Sequence, residues 1–534
     1  MKPSQSPTSH LFFIIIFLCF NTFNLLFSSS LKPDSGTVAS PAGNYDNILH
    51  IGSRLELFVD DHVIDRLEGN AELRLHHPVP KEIVMVHDAP WEGSGSGYHS
   101  VFKDGDKYRM YYKAWQLTVT PETVKTDDHP LYCCYAESSD GIHWNRPNLK
   151  LYKFNGSKKN NIVFINGEMG GVNADGGHPA VFKDENPNVS PDALYKAVLR
   201  SYEPWGLYVF KSPDGIHWTP MTNTPVITDG AFDSQNLAFW DNVKGEYRAY
   251  WRYFTDGTVE TPYKGIRSIR TAASKDMINW SDQQDLVYVD SPLEQLYTNV
   301  IKPYYRAPHI YIGFPTRYTE REWSESLQAL PDPQHREWRS AYRERYGTAL
   351  SEALFMSSRD GVLFKRRNEA FLRPGIERPG TWSYGQQYIG WSFVETRSDI
   401  PGAPDELSFY AVEDYWTGKS CSLRRYTLRI DGFVSASAPM SGGELITKPI
   451  TFKGSKLVLN FSTSAAGSLQ VEIQDTDGNP LPGFSLRECP AIYGDTIERK
   501  VSWENGSDLV FLEGEIIRLR FVLKDADLFS FKFE

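Results

Sequence analysis

The sequence predicts an all-β chain, a five-bladed β-propeller followed by a C-terminal β-sandwich, on three observations. The first is a repeat: "SSDGIHW" at 138–144 returns as "SPDGIHW" at 212–218, then as "SKDMINW" at 274–280 and "SRDGVLF" at 358–364. The copies stand roughly 60–85 residues apart, the length of a propeller blade with its loops. The second is what precedes each copy: a short strand-like run and, before that, a longer segment alternating aromatic or β-branched residues with polar ones. The third is composition, since 14% aromatics, 40 Gly and 33 Pro suit short strands and tight turns.

The elements follow in chain order. Residues 1–30 hold one Lys, then about 17 largely apolar residues ending in Ser, which predicts a secretory signal peptide or a retained anchor. Residues 31–50 read as a linker, 51–437 as the propeller and 438–534 as the sandwich. Strand "RLELFVDD" (54–61) is expected to close the ring on the last blade, leaving no exposed edge. The innermost strands are expected at 99–104, 178–184, 234–241, 297–305 and 386–395. The second strands are "KYRMYYKAW", "LYKAVLRSY", "EYRAYWRYF", "HIYIGFPTRY" and "LSFYAVEDYW". In the repeat itself, Asp-Gly makes the tight hairpin into the outer strand, which carries Trp144, Trp218, Trp280 or Phe364. Residues 319–350 break the pattern with charged, helical sequence on the pocket side, and are expected to form a lid or a contact with a neighbouring subunit. Past residue 438, alternating runs such as "KLVLNFST" and "IIRLRFVLK" mark the sandwich.

A formal charge of −11 argues against binding a nucleic-acid backbone. Cys133, Cys134, Cys421 and Cys489 lack metal-type spacing; they are read as buried thiols or as one bond between the 133/134 pair and Cys421. There is no phosphate-cradling Gly loop and no nucleophile elbow. No cofactor is expected, and His99, His178 and Asp233 do not have the spacing of a metal site.

The hairpin "SVFKDGDKYRMYYKAW" and the five-unit pattern over about 51–437 resemble the five-bladed glycoside hydrolases, family 32 with its relatives in families 43 and 117. The resemblance implies a propeller enzyme cutting poly- or oligosaccharides, but its catalytic motifs are only partly kept. Where the family places its nucleophilic Asp, "EGSGSGYHSVF" has Ser96, with Asp88 and Glu92 the nearest carboxylates. Where the second blade carries a sugar-orienting Asp, "GHPAVF" has His178. Where the third blade carries its acidic Glu, "FDSQNLAF" has Asp233. Family 117 gives a His the acid role, which suits His178.

In a propeller the starts of the inner strands and the ends of the second strands rim one mouth of the channel. The starts contribute Tyr98, His99, His178, Asp233, Gln235, Asn236, Tyr297 and Asn299. The ends contribute Lys113, Trp115, Arg200, Arg252, Arg317, Glu413 and Trp416. Arg200, Arg252 and Arg317 each lie one or two residues before a Tyr, and three converging guanidiniums would read a carboxylate or sulfate. The alternative is that they pair with Asp233 and Glu413. Glycoside cleavage asks for two carboxyl groups, and Asp233, Asp88 and Glu413 are the candidates, with Asp175 read as a turn former. The sequence therefore predicts a secreted glycoside hydrolase for a neutral or anionic glycan, or a carbohydrate-binding or adhesion propeller without catalysis.

Overall fold

The computed structural model describes residues 48–534; the signal or anchor at 1–30 and nearly all of the linker at 31–50 lie outside the described residues. Five sheets form the ring. Blade one pairs Gly97–Asp104, Lys107–Ala114, Tyr132–Ser138 and Ile162–Ile165, from the axis outward. Blade two runs Ala180–Lys183, Tyr195–Tyr202, Trp205–Ser212 and Thr219–Pro220, and blade three Leu237–Asp241, Glu246–Phe254, Arg267–Ser274 and Gln284–Asp285. Blade four is Lys302–Tyr304, Ala307–Gly313, Met356–Ser358 and Leu363–Arg366, with Val287–Val289 added in parallel outside it. Blade five is Val394–Thr396, Glu406–Glu413 and Ser422–Leu428, completed by Val79–Val86.

The ring is thus closed by Val79–Val86, not by 54–61. Glu56–Leu57 instead pairs with Arg518–Phe533 in an eight-stranded sheet, along with Ile64–Gly69 and Glu72–Leu75. The physical reason is chemical: buried Glu56 and Asp60 both bind Arg359, at 2.8 and 2.9 Å, and Glu56 also meets Arg54 (2.5 Å) and His309 (3.3 Å), which holds this stretch between blade four and the C-terminal sheet. Blade one also departs from expectation. Its outer strand is Ile162–Ile165, and the segment with Trp144 makes only the single bridge Glu137–Asn145.

The repeated turns join blades. In each, Asp Oδ1 accepts the two backbone N–H groups that follow the next residue, at 2.8–2.9 Å around Asp140, Asp214, Asp276 and Asp360. The carbonyl of the turn's Gly then accepts a buried phenol from the preceding blade. Tyr410 donates to Gly141 (2.5 Å), Tyr111 to Gly215 (2.9 Å) and Tyr250 to Gly361 (2.8 Å). An added Cβ at Gly215 would stand 2.5 Å from the Tyr111 hydroxyl, and its φ is +80°, so glycine is required there. The third copy has Met277 in place of Gly, and the second strand of the preceding blade has Val198 in place of Tyr. Both are buried in one apolar cluster. Apolar packing has replaced the hydrogen bond where its donor is missing.

The last Asp-Gly copy, Asp431, takes Tyr304 Oη (2.6 Å) and Arg306 Nε (3.0 Å) from blade four, and Ser530 Oγ (3.0 Å) and Asn460 Nδ2 (3.1 Å) from the C-terminal sheet. A buried carboxylate so fully bonded fastens ring and sheet together. All four described cysteines are free and buried.

Candidate active site

The second strands bring cations to the axis in one register. Counting two residues on from Tyr111, Val198 and Tyr250 gives Lys113, Arg200 and Arg252, all nearly fully buried. The same step in blade four gives Gly313 and in blade five Val412. Arg317 is out of this register: it pairs with Glu352 and Glu294 and donates to Asn368 O at 2.9 Å, so it is not brought to the rim. The converging set is therefore one Lys and two Arg from blades one to three. The residue the sequence reading passed over as a cation was Lys113, which counting from the aromatic would have revealed.

Two of these cations have a carboxylate from the loop before their own inner strand. Arg200 Nε donates to Asp175 Oδ2, and Arg252 Nη2 pairs with Asp233 Oδ1. Asp175, expected to be only a turn former, is fully buried; it also accepts Gly177 N at 2.6 Å and His178 Nδ1 at 2.9 Å. A carboxylate so placed can only accept, so the hydrogen is on Nδ1 and Nε2 carries the lone pair. His178 Nε2 has no hydrogen-bond partner among the described residues and is not sealed from solvent. Burial, aided by Arg200 and only partly offset by Asp175, pushes the His178 imidazole down to about 3, so it is neutral at physiological pH. Asp175, despite burial, is held far below the usual carboxylate range by His178 and Arg200.

Asp233 keeps 37% of its side chain exposed, whereas Arg252 beneath it is 2% exposed and leaves Nε and Nη1 without partners. Arg252 lies over the Tyr297 ring at 4.7 Å. Burial would raise the Tyr297 phenol, but Arg252, a hydrogen bond with Tyr384 and Arg267 outweigh it and bring it to about 8. Tyr98 links the two halves, tilted against His178 at 5.3 Å and stacked on Tyr388 at 6.1 Å.

Lys113 has no carboxylate within ion-pair distance among the described residues. Its Nζ donates to Tyr415 Oη at 3.0 Å and stands over Tyr98, Trp115 and Tyr415 at 4.6, 5.0 and 5.3 Å. Burial, with Arg200 adding and Cys421 and Asp175 opposing, pushes the ammonium down to about 7. Trp115 and Trp416 meet edge to face at 6.3 Å, and Tyr346 of the 319–350 insertion packs on Trp416 at 4.7 Å.

The other expected residues lie elsewhere or are otherwise engaged. Asp88 is exposed beyond the closing strand, 3.7 Å from Arg146. Glu92 is buried under Tyr112 Oη (2.5 Å) and a two-pronged Arg146 contact at 2.9 Å. Glu413 is buried under Arg378 (2.6 Å), Arg424 (2.9 Å) and Tyr426 Oη (3.1 Å). His99 turns away from the mouth to His87, with the two Nε2 atoms 3.1 Å apart. Gln235 Nε2 is spent on the carbonyls of Tyr98 and Pro179, both at 3.0 Å. Asn236 Nδ2 binds Phe232 O and Ser234 O, and Asn299 Nδ2 reaches Tyr250 O at 3.4 Å; each leaves its Oδ1 unpaired. Gln235 and Asn299 fasten neighbouring blades, and Asn236 braces its own loop. Among the described residues no cluster of His, Cys, Asp and Glu is arranged to hold a metal ion.

No protein-family model and no curated protein matches this sequence. Solved structures similar to it include a family 43 arabinoxylan arabinofuranohydrolase from Bacillus subtilis, 11% identical, covering 86% of this chain and 99% of that one with a TM-score of 0.38. The catalytic domain of a family 62 α-L-arabinofuranosidase from Coprinopsis cinerea is 10% identical, covering 66% of this chain and 97% of that one, also at 0.38. Glycoside hydrolases are thus among the structural neighbours; the five-bladed ring itself rests on the strand pairings above.

Proposed function

We propose that this chain is a secreted glycoside hydrolase whose substrate is an oligo- or polysaccharide carrying carboxylate or sulfate groups. One observation carries the reading: a single mouth of the channel holds an Asp175–His178 pair with a free Nε2, a half-exposed Asp233, and three buried cations among tyrosines. An Asp-oriented neutral imidazole is a proton acceptor for a water or a sugar hydroxyl. Asp233, on the neighbouring blade, supplies the carboxyl group, with Arg252 holding its position. The phenol and indole rings suit sugar faces, and Lys113 with the free edge of Arg252 suits an anionic substituent. The N-terminal apolar segment would direct export.

The test is product release from a panel of neutral, uronic and sulfated oligosaccharides. The wild type is expected to cleave an anionic member, with Asp233→Asn and His178→Gln each reducing kcat/KM at least a hundredfold while ligand binding persists. A second reading, carbohydrate binding without cleavage, is favoured by Asp88 and Glu413 lying off the mouth, which leaves one exposed carboxylate where glycosidases use two. Binding without release at any pH would select that reading and overturn the first.

A further inference from the structure

The opposite mouth of the channel carries a second concavity. Trp391 divides the two ends. Its backbone bonds blade one through His99 O (2.6 Å) and Val101 N (3.0 Å), its Nε1 donates to Ile301 O of blade four (3.0 Å), and its ring meets Phe182 of blade two edge to face at 6.1 Å. Below it lies a cavity of about 300 Å³, walled by Phe102, Phe182, Pro303, Trp391 and Phe393. Its rim carries the charged groups Lys103, Lys183, Glu185, Lys302 and Glu395. Lys302 is half-buried on the wall, and its Nζ has neither a hydrogen-bond acceptor nor a carboxylate within 4 Å among the described residues. Lys103, at the edge, lies 5.5 Å over the Tyr108 ring and likewise has no ion pair.

The remaining charged groups at this mouth have partners of their own, and the Glu185 carboxylate also acts electrostatically on Lys302. Lys183 is taken by Asp104 at 2.6 Å; Glu185 accepts from Asn242 at 2.8 Å; Glu395 accepts from Tyr305 Oη. A small concave apolar pocket with one or two placed polar groups is the general form of a small-molecule site. Its cations ask for an anion, while Glu185 and Glu395 at the rim disfavour a second negative charge. The aromatic walls ask for an apolar body.

We propose that this mouth binds an amphipathic monoanion, an aryl or short alkyl carboxylate, with its carboxylate on Lys302 and its body against Trp391 and Phe182. The site is separate from the His178–Asp233 mouth and does not depend on its chemistry. Isothermal titration of the protein with 4-phenylbutyrate tests it. Saturable one-to-one binding is expected, with 4-phenylbutylamine and phenyl phosphate at least tenfold weaker. Lys302→Met should weaken 4-phenylbutyrate about tenfold or more, since a charge-assisted hydrogen bond is lost, while Lys302→Arg retains it. Melting temperatures equal to wild type show that the variants fold. Asp233→Asn should bind as the wild type does. No saturable binding at millimolar concentrations, equal binding of the amine, or unchanged binding by folded Lys302→Met would each overturn the proposal.

Discussion

Tyr111, Tyr250 and Tyr410 each cross to the turn of the next blade, and the interruption at the third copy is compensated at both ends: Val198 replaces the phenol and Met277 the glycine. Met277 sits at φ +64°, a conformation that costs a non-glycine residue of order 1–3 kcal/mol. Rebuilding the lock should be cooperative. Val198→Tyr and Met277→Gly alone should each destabilise, and the double variant should recover a coupling of about 1 kcal/mol in urea unfolding. Strict additivity would mean the phenol does not reach the turn. The same residue-scale register shows what the sequence made legible. The Asp-Gly copies counted the blades because turn chemistry is local. Matching Arg-Tyr pairs selects Arg317, whereas distance from the strand's aromatic selects Lys113, because side-chain direction follows strand register. Asp175 was read as a turn residue because nothing in "NADGGH" shows that Arg200 and His178 converge on it; that contact is made by the fold.

Between elements, buried ion pairs do what the apolar core cannot, fixing how neighbouring blades meet. Asp184, after the inner strand of blade two, holds Lys196 Nζ in its own blade and accepts Tyr247 Oη from blade three at 2.7 Å. Removing one partner leaves the other charge buried, so Asp184→Asn should cost about 3–5 kcal/mol in unfolding free energy. A loss below 1 kcal/mol would show that the pair is solvated. The insertion is held differently. Its helix Pro333–Tyr342 turns Arg336 and Arg339 inward, and Arg336 donates to Pro331 O (2.9 Å) and Gly347 O (3.2 Å). Tyr346 wedges between Trp416 and Tyr384 at 4.7 and 5.7 Å. The charged composition made its helices legible, but its seat on these aromatics was not, because the partners are about 40 and 70 residues away in sequence. Tyr346→Ala should open 319–350 to limited proteolysis while the melting temperature of the ring stays near wild type. Equal protection in the variant would place the anchor elsewhere.

At the scale of the molecule, Lys113 is the one site cation whose charge lies within reach of ordinary pH. Arg200 and Arg252 each have a carboxylate; among the described residues Lys113 has only Tyr415 Oη and three aromatic faces. The groups around it are Tyr98, Tyr415, Cys421, Asp175, Arg200 and His178, with burial the largest influence. Its ammonium titrates near 7 in the folded chain against 10.5 ordinarily, so between those values the unfolded chain binds the extra proton. Stability conferred at this position therefore rises with pH from about 7 to 10.5, and the full cost of burying the charge is felt below 7. Lys113→Met should accordingly be more stable than wild type near pH 6, with the gain shrinking toward pH 10. Anion recognition must run the opposite way, since the charge that costs stability is the one that would bind a sulfate or carboxylate. Wild-type affinity for an anionic oligosaccharide should fall severalfold as pH rises from about 6 to 8.5, and Lys113→Arg should abolish that fall by keeping its charge. A wild-type affinity flat across that interval would remove Lys113 from recognition and leave Arg252 as the cation that faces the ligand.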